Sequence, residues 1–218
     1  MTQLVHLDTG IEALHASRPE PLSFAPSLHV RAFVLERERG NLLVYSVPGL
    51  EADAAAIERL GGISRHYLNH WHEAMVAAPS LAAPLFVHED DRAAVEKRAH
   101  VRATFSRRHL LDDDFEVIPT PGHTPGATAY LWDNGRQRLL FSGDTISLDD
   151  GRWTAAVLDS SDRDRYIESL ELIRTLDFDV LVPWVATAGR PFYAETTRED
   201  TARNIDAILE RLRRGETH

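Results

Sequence analysis

The apolar positions of this chain fall into short blocks whose period keeps changing. Leu28 to Leu35 and Asn41 to Ser46 are runs of strand length. The charged Glu36-Arg37-Glu38-Arg39-Gly40 segment between them predicts a hairpin turn, with Gly40 free to take a positive φ. Residues 51–60 carry Ala54, Ala55, Ala56, Ile57 and Leu60 on a short helix that Gly61-Gly62 would stop. Ile63 to Leu68 and Leu85-Phe86-Val87 read as further strands. A helix from Asp90 to about Arg98 follows, with acids first and bases last, as the helix dipole favours.

The second half keeps the same rhythm. Phe115 to Pro119, Ala127 to Trp132 and Arg138 to Phe141 read as strands, separated by turn-rich segments such as Asp133-Asn134-Gly135. Asp162 or Asp164 caps a predicted helix with Tyr166, Ile167, Leu170 and Ile173 on one face. Val180 to Pro183 is a short buried strand. A closing helix over 198–213 places Ile205, Ile208, Leu209 and Leu212 at helical spacing. Such stripes are read as core. Strands in two groups, each accompanied by helices, predict an α/β architecture of two packed sheets with helices outside, in a single domain over residues 1–218.

Composition narrows the partners. A net charge of −10 argues against nucleic acid, because phosphate binding needs a basic footprint. No cysteine is present, which excludes thiolate nucleophiles and Cys-type zinc sites and fits a reducing compartment. The N-terminus lacks a basic segment followed by an apolar run, and no apolar stretch approaches the ~20 residues a bilayer span requires. The expectation is a cytoplasmic protein with no membrane partner, acting on a small-molecule substrate or ligand. No feature decides its oligomeric state.

Of eleven histidines, most are read as surface or hydrogen-bonded core residues. His70 and His72 stand apart, because they follow a predicted strand at a spacing that turns two imidazoles toward one side of an extended chain. His123 lies in Pro119-Thr120-Pro121-Gly122-His123-Thr124-Pro125-Gly126, a tight loop that would aim its ring. Asp144 ends another predicted strand within Ser142-Gly143-Asp144-Thr145. Four such groups at strand ends predict a metal site, with Asp144 also the candidate catalytic residue. Glu73 would point away from the histidines on an extended chain and is read as a solvated carboxylate at a helix start.

These residues carry a resemblance to the metallo-β-lactamase-fold superfamily. Its pattern reads His-x-His-x-Asp-His, then Pro-Gly-His-Thr-x-Gly, then Gly-Asp, then a late Pro-Gly-His. His70 and His72, Pro121 to Gly126, and Gly143-Asp144-Thr145 match it, whereas Ala74, Met75 and Val185 stand at three further ligand positions. The resemblance implies an αββα sandwich of two packed mixed β-sheets flanked by helices, with the metal site at one edge. It also implies a first metal site of His70, His72 and His123, with Asp144 bridging to a second site whose other ligand positions are the ones occupied here by Ala74, Met75 and Val185, so that one ion is expected.

The expected cofactor is one zinc ion, with iron, manganese or nickel as alternatives. The expected activity is hydrolysis of a small ester, thioester, lactone or amide through a metal-bound water. A metal-free pocket, serving a small-molecule-binding protein or a non-hydrolytic enzyme, stays open as the alternative. Trp71, Met75, Trp184 and Val185 are the candidates for an apolar substrate pocket, with Trp153 as a further wall. Arg190 and Tyr193 are candidates for binding an anionic substrate.

Overall fold

The computed structural model describes residues 5–6 and 11–217 of the chain. Period-two alternation builds its centre. In strand Thr128–Asp133, Tyr130 and Trp132 face one core while Ala129 and Leu131 face another, because successive side chains of a strand point to opposite faces. Strands Arg138–Gly143 and Val180–Pro183 behave alike: Phe141 and Val182 turn inward, Leu140 and Leu181 outward. A sheet that is apolar on both faces needs cover on both.

These strands belong to a six-stranded sheet ordered His109–Leu111, Phe115–Pro119, Thr128–Asp133, Arg138–Gly143, Val180–Pro183, Ala194–Glu195. Helices Arg163–Thr175 and Arg198–Arg213 cover its outer face through Tyr166, Leu170, Ile205 and Ile208. Its inner face packs on a seven-stranded sheet ordered Val5–His6, Leu14–Ala16, Phe33–Leu35, Leu42–Val44, Arg65–Tyr67, Leu85–His88, Ala103–Phe105. That sheet is antiparallel up to Leu42–Val44 and parallel beyond it. Helices Trp71–Val76 and Arg92–Val95 close its far side, where Leu68, Leu85, Val87 and Val95 form a third core. The architecture is an αββα sandwich of mixed sheets. No helix among the described residues is long and apolar enough to cross a membrane.

A five-stranded sheet, ordered Arg152–Thr154, Ser147–Asp149, Val185–Thr187, Ala25–Val30, Glu20–Leu22, extends from one end of the six-stranded one. Trp184 joins the two. Its N–H donates to the Gly143 carbonyl at 3.3 Å and its own carbonyl accepts Arg31 N–H at 3.3 Å. This sheet corrects the expected continuous strand from Leu28 to Leu35. The chain breaks at Arg31-Ala32, where the Ser17 carbonyl and hydroxyl take up the Arg31 side chain and the Ala32 N–H. Ala25–Val30 then pairs with Val185–Thr187, and Phe33–Leu35 joins the other sheet. The helix expected over 90–98 is also shorter, a 3₁₀ turn at Glu89–Asp91 followed by Arg92–Val95.

His66 shows what this interior does to a titratable group. It is fully buried, its Nε2 donates to the Tyr45 carbonyl at 2.9 Å, and burial lowers its pKa to about 4. The folded pKa therefore lies below that of the unfolded chain, so His66 is compatible with the fold above pH ~6.5 and opposes it increasingly as pH falls toward 4. At ~1.4 kcal/mol per pH unit between the two pKa values, the loss reaches about 3 kcal/mol. Urea unfolding of the wild type between pH 7 and 4 is expected to show this decline, and His66→Gln to flatten it by about one proton. Equal slopes for the two proteins would disprove the assignment.

Candidate metal centre

The chain leaves strand Arg65–Tyr67 through Asn69, whose side-chain amide donates to the carbonyls of Thr128 and, at 3.3 Å, of Ser142. Asn69 thereby stitches the two sheets at their open edge. Gly143 has to be glycine there: its φ is +56°, and a Cβ would lie 1.9 Å from the Asn69 side chain. His70 follows in extended conformation as the residue preceding helix Trp71–Val76, and His72 lies in that helix's first turn. The two rings converge through this strand-to-helix bend, with centroids 5.0 Å apart, and not by alternation along an extended chain as the sequence predicts.

Two buried carboxylates hold this bend. Glu73, expected to be solvated, is fully buried. Its Oε1 accepts the N–H groups of Asn69 at 2.7 Å and His70 at 3.3 Å, and its Oε2 accepts Ser46 N–H at 2.9 Å. The helix reverses the direction that an extended chain would have given it. Asp91 accepts Trp71 N–H at 2.9 Å with one oxygen, together with the Thr124 hydroxyl at 3.0 Å. Its other oxygen accepts Gly126 N–H at 2.9 Å, so the two histidine-bearing segments share one carboxylate. In the sequence Asp91 reads as an ordinary helix-start acid. The signal that could have found it is Gly126, where a Cβ would lie 2.6 Å from Asp91 Cγ.

His123 is aimed by the other side of its loop. Gly122 lets helix Arg163–Thr175 approach so closely that a Cβ would sit 2.4 Å from Tyr166 Cα. The His123 Nδ1–H donates to the Ala156 carbonyl at 3.2 Å, which turns the Nε2 lone pair into the site. Asp144 is held by its own backbone carbonyl, which accepts the Tyr166 hydroxyl at 2.9 Å.

The donor atoms meet. His70, His72 and His123 each offer a ring nitrogen within 4.8 Å of the others. His72 Nδ1 is 3.1 Å from His123 Nε2, while Asp144 Oδ2 is 3.3 Å from His70 Nε2 and 3.7 Å from His123 Nε2. Tetrahedral coordination with bonds of ~2.0–2.1 Å requires donors ~3.4 Å apart, so the spacing fits a single ion. The electrostatics fit it at two of the three rings, and His70 would have to give up a proton to join them. Burial, helped by the charge on His70, lowers His72 to about 3 and His123 to about 4, which leaves both imidazoles neutral and ready as ligands. Burial opposes charge on His70 as well, but Asp144 and then Glu73 outweigh it and raise that imidazole to about 10. Asp144, which burial would raise, is instead held below the usual carboxylate range by His70. His70 faces Glu73 Oε1 at 3.4 Å through Nδ1 and Asp144 Oδ2 at 3.3 Å through Nε2, neither in good hydrogen-bond geometry, and Asp144 Oδ1 is buried with no partner, so a cation held at Nε2 would relieve part of the cost.

A cavity of about 340 Å³ opens beside these donors, and His72, His123 and Asp144 form part of its lining. Met75, Trp184 and Val185 line it as well. Four other expected pocket residues do not. Trp71 is turned by the helix onto the third core, Arg190 is exposed and paired with Asp150 at 2.6 Å, and Tyr193 packs against the main core beside Phe192. Trp153 faces the outer core and stacks on Phe178.

The model of the metallo-beta-lactamase superfamily matches residues 53–183, a span that contains every candidate ligand. The chain belongs to this superfamily. A hydroxyacylglutathione hydrolase of Xanthomonas axonopodis pv. citri (strain 306) is 36% identical over 123 residues, which is 52% of this chain and 45% of that protein. The chain thus spans under half of that relative's length. Among solved structures, a metallo-beta-lactamase from Pontibacter korlensis superposes with a TM-score of 0.69 at 14% identity, covering 98% of this chain and 99% of its own. A beta-lactamase from Chitinophaga pinensis reaches 0.59 at 16% identity, covering 96% of each chain. These likenesses speak for the fold.

Asp91→Ala removes the acceptor shared by Trp71, Thr124 and Gly126, so it is expected to cost about 3 kcal/mol in unfolding measurements. It is also expected to weaken zinc binding by about 10–100-fold in competition with a chromogenic chelator. An unchanged zinc affinity would remove Asp91 from the support of this superfamily site.

Proposed function

We propose that this superfamily member is a hydrolase using a single metal ion, acting on a small ester, thioester, lactone or amide. The observation that carries this reading is the meeting of His70, His72, His123 and Asp144 at the edge of a cavity large enough for a small substrate. The three imidazoles would hold the ion, with zinc the preferred metal for an all-nitrogen set. When bound, such an ion supplies Lewis acidity, polarising a carbonyl and acidifying water.

The chain's own residues supply the rest. The Asp144 carboxylate, kept ionised by its neighbours, is the group that would accept or hold a proton at Oδ2 on the cavity side. Trp184 sets its ring edge-on to His70 with centroids 5.5 Å apart and donates its indole N–H to the Ser46 carbonyl at 3.0 Å. It thus forms a fixed apolar wall that limits water around the donors. Met75 and Val185, at positions where the superfamily pattern expects ligands, bring no imidazole to the cavity, and Ala74 is buried in the third core. This supports one metal ion in preference to two. The same apolar replacements favour a second reading, a metal-free protein that binds a small molecule without hydrolysing it.

Elemental analysis separates the two. Protein purified without added metal is expected to carry about one equivalent, with zinc predominating. His70→Ala and His123→Ala are each expected to lose the metal and at least 100-fold in hydrolysis of a p-nitrophenyl ester. Metal-free protein that also refuses added zinc would end the hydrolase reading and leave the binding one.

A further inference from the structure

The lining of the cavity beside the metal centre contains no lysine or arginine. Asp144 is its one permanently charged residue, and His72 and His123 are the other titratable ones. The walls are aliphatic or aromatic: Met75 and Val76 from the helix that follows His70, Leu22 and Phe24 from the neighbouring β-hairpin, and Trp184 and Val185 from the junction of the sheets. Among the described residues, four large hydrophobic side chains are exposed: Phe24 at 76%, Leu110 at 62%, Met75 at 54% and Leu158 at 40%. Three of the four line this cavity. Scattered apolar side chains on a surface need no explanation, but their convergence on one opening next to a candidate reaction centre marks a binding surface.

The cation-free lining is local. An adjoining groove of about 910 Å³ shares Leu28, Ser147, Ala156 and Val185 with the cavity, yet it carries Arg152 and Arg211. A carboxylate or phosphate held along the walls of the cavity would lose its hydration against apolar side chains, with no lysine or arginine to meet it. An aliphatic chain placed there gains from every methylene it buries.

We propose that the cavity takes an uncharged aliphatic acyl group, seated between Met75 and Val185 and rimmed by Phe24 and Leu158, so that neutral, chain-bearing acyl compounds are the substrate class. This deepens the hydrolase reading and rests on it for the chemistry, but the binding preference follows from the lining alone. The acyl carbonyl lies at the His72, His123 and Asp144 end, and the chain runs toward the exposed rim. Specificity resides in the wall residues. Met75 and Phe24 are the positions where a single charge would change it, because both are exposed and are not packed in a core.

The test is displacement of the neutral fluorophore N-phenyl-1-naphthylamine from the purified full chain. Butyramide, hexanamide and octanamide are compared with suberamic acid, which is octanamide carrying a carboxylate at its far end. Affinity is expected to rise about fourfold per methylene along the amide series, and suberamic acid to bind at least tenfold more weakly than octanamide. Met75→Lys is expected to reverse that preference, and Phe24→Lys serves as the second variant should the first fail to fold. Amides that do not tighten with length, or suberamic acid binding as well as octanamide, would overturn the proposal. The two readings separate cleanly: octanamide binding without hydrolysis of p-nitrophenyl octanoate would sink the hydrolase alone. Hydrolysis indifferent to acyl length and to a terminal carboxylate would sink the acyl cavity alone.

Discussion

Asp91 accepts hydrogen bonds from the bend that carries His70 and His72 and from the loop that carries His123. These segments are separated by about 50 residues of chain and leave different sheets, so no local interaction could set the distance between their rings. A carboxylate with two oxygens and several lone-pair directions can take three donors at once, and the buried site lets each bond count for more than it would in water. Glu73 does the same work within the first segment, gathering Asn69, His70 and Ser46. Burial raises the pKa of both acids while their donors pull it down, with Thr124 foremost for Asp91 and His70 foremost for Glu73. The candidate metal centre thus rests on a frame of buried acids whose cost is offset by the N–H groups they satisfy.

That frame explains the unequal electrostatics of three chemically identical rings. His70 sits between Asp144 on one nitrogen and Glu73 on the other, at 3.3 and 3.4 Å. His72 and His123 face each other at 3.1 Å with the desolvation and little of the compensation. Two imidazole nitrogens at that separation require a proton or a cation between them, since two lone pairs would repel. A single ion there would also lie within reach of His70 Nε2, while Nδ1 stays turned to Glu73.

Much of this was legible from the chain. The alternation in Thr128–Asp133, the helical stripe of Arg198–Arg213 and the sheet-helix order were local signals, and tertiary structure had only to assemble them. The Pro121 to Gly126 loop and Gly143-Asp144 carried their meaning in glycines that admit a neighbouring backbone or side chain. What escaped were features that depend on partners distant in sequence. Glu73 looks solvated until the helix at Trp71 turns it inward, and Asp91 looks like a helix-start acid until Thr124 and Gly126 arrive. Arg31-Ala32 breaks an apparently continuous strand because Ser17 supplies hydrogen-bonding groups there and Val185–Thr187 offers a second sheet. Trp71 follows His70 directly, and Arg190 and Tyr193 follow the Val185 position, yet helical rotation, the Asp150 ion pair and packing beside Phe192 direct the three elsewhere.

The absence of an imidazole or carboxylate at Ala74, Met75 and Val185 has two consequences that reinforce each other. Three donors fewer leave the remaining set suited to one ion, and apolar side chains in their place lower the local dielectric around it. Interactions of an ion with a developing negative charge strengthen as water is excluded, because the Coulomb energy scales inversely with the effective dielectric constant. A fixed Trp184 wall and a Val185 floor supply that exclusion without adding a charge that would compete for the ion. The substitutions that remove three of the seven positions in the superfamily's ligand pattern therefore leave a coherent site, in which three imidazoles, one carboxylate and an apolar wall are arranged around the same few ångströms of space.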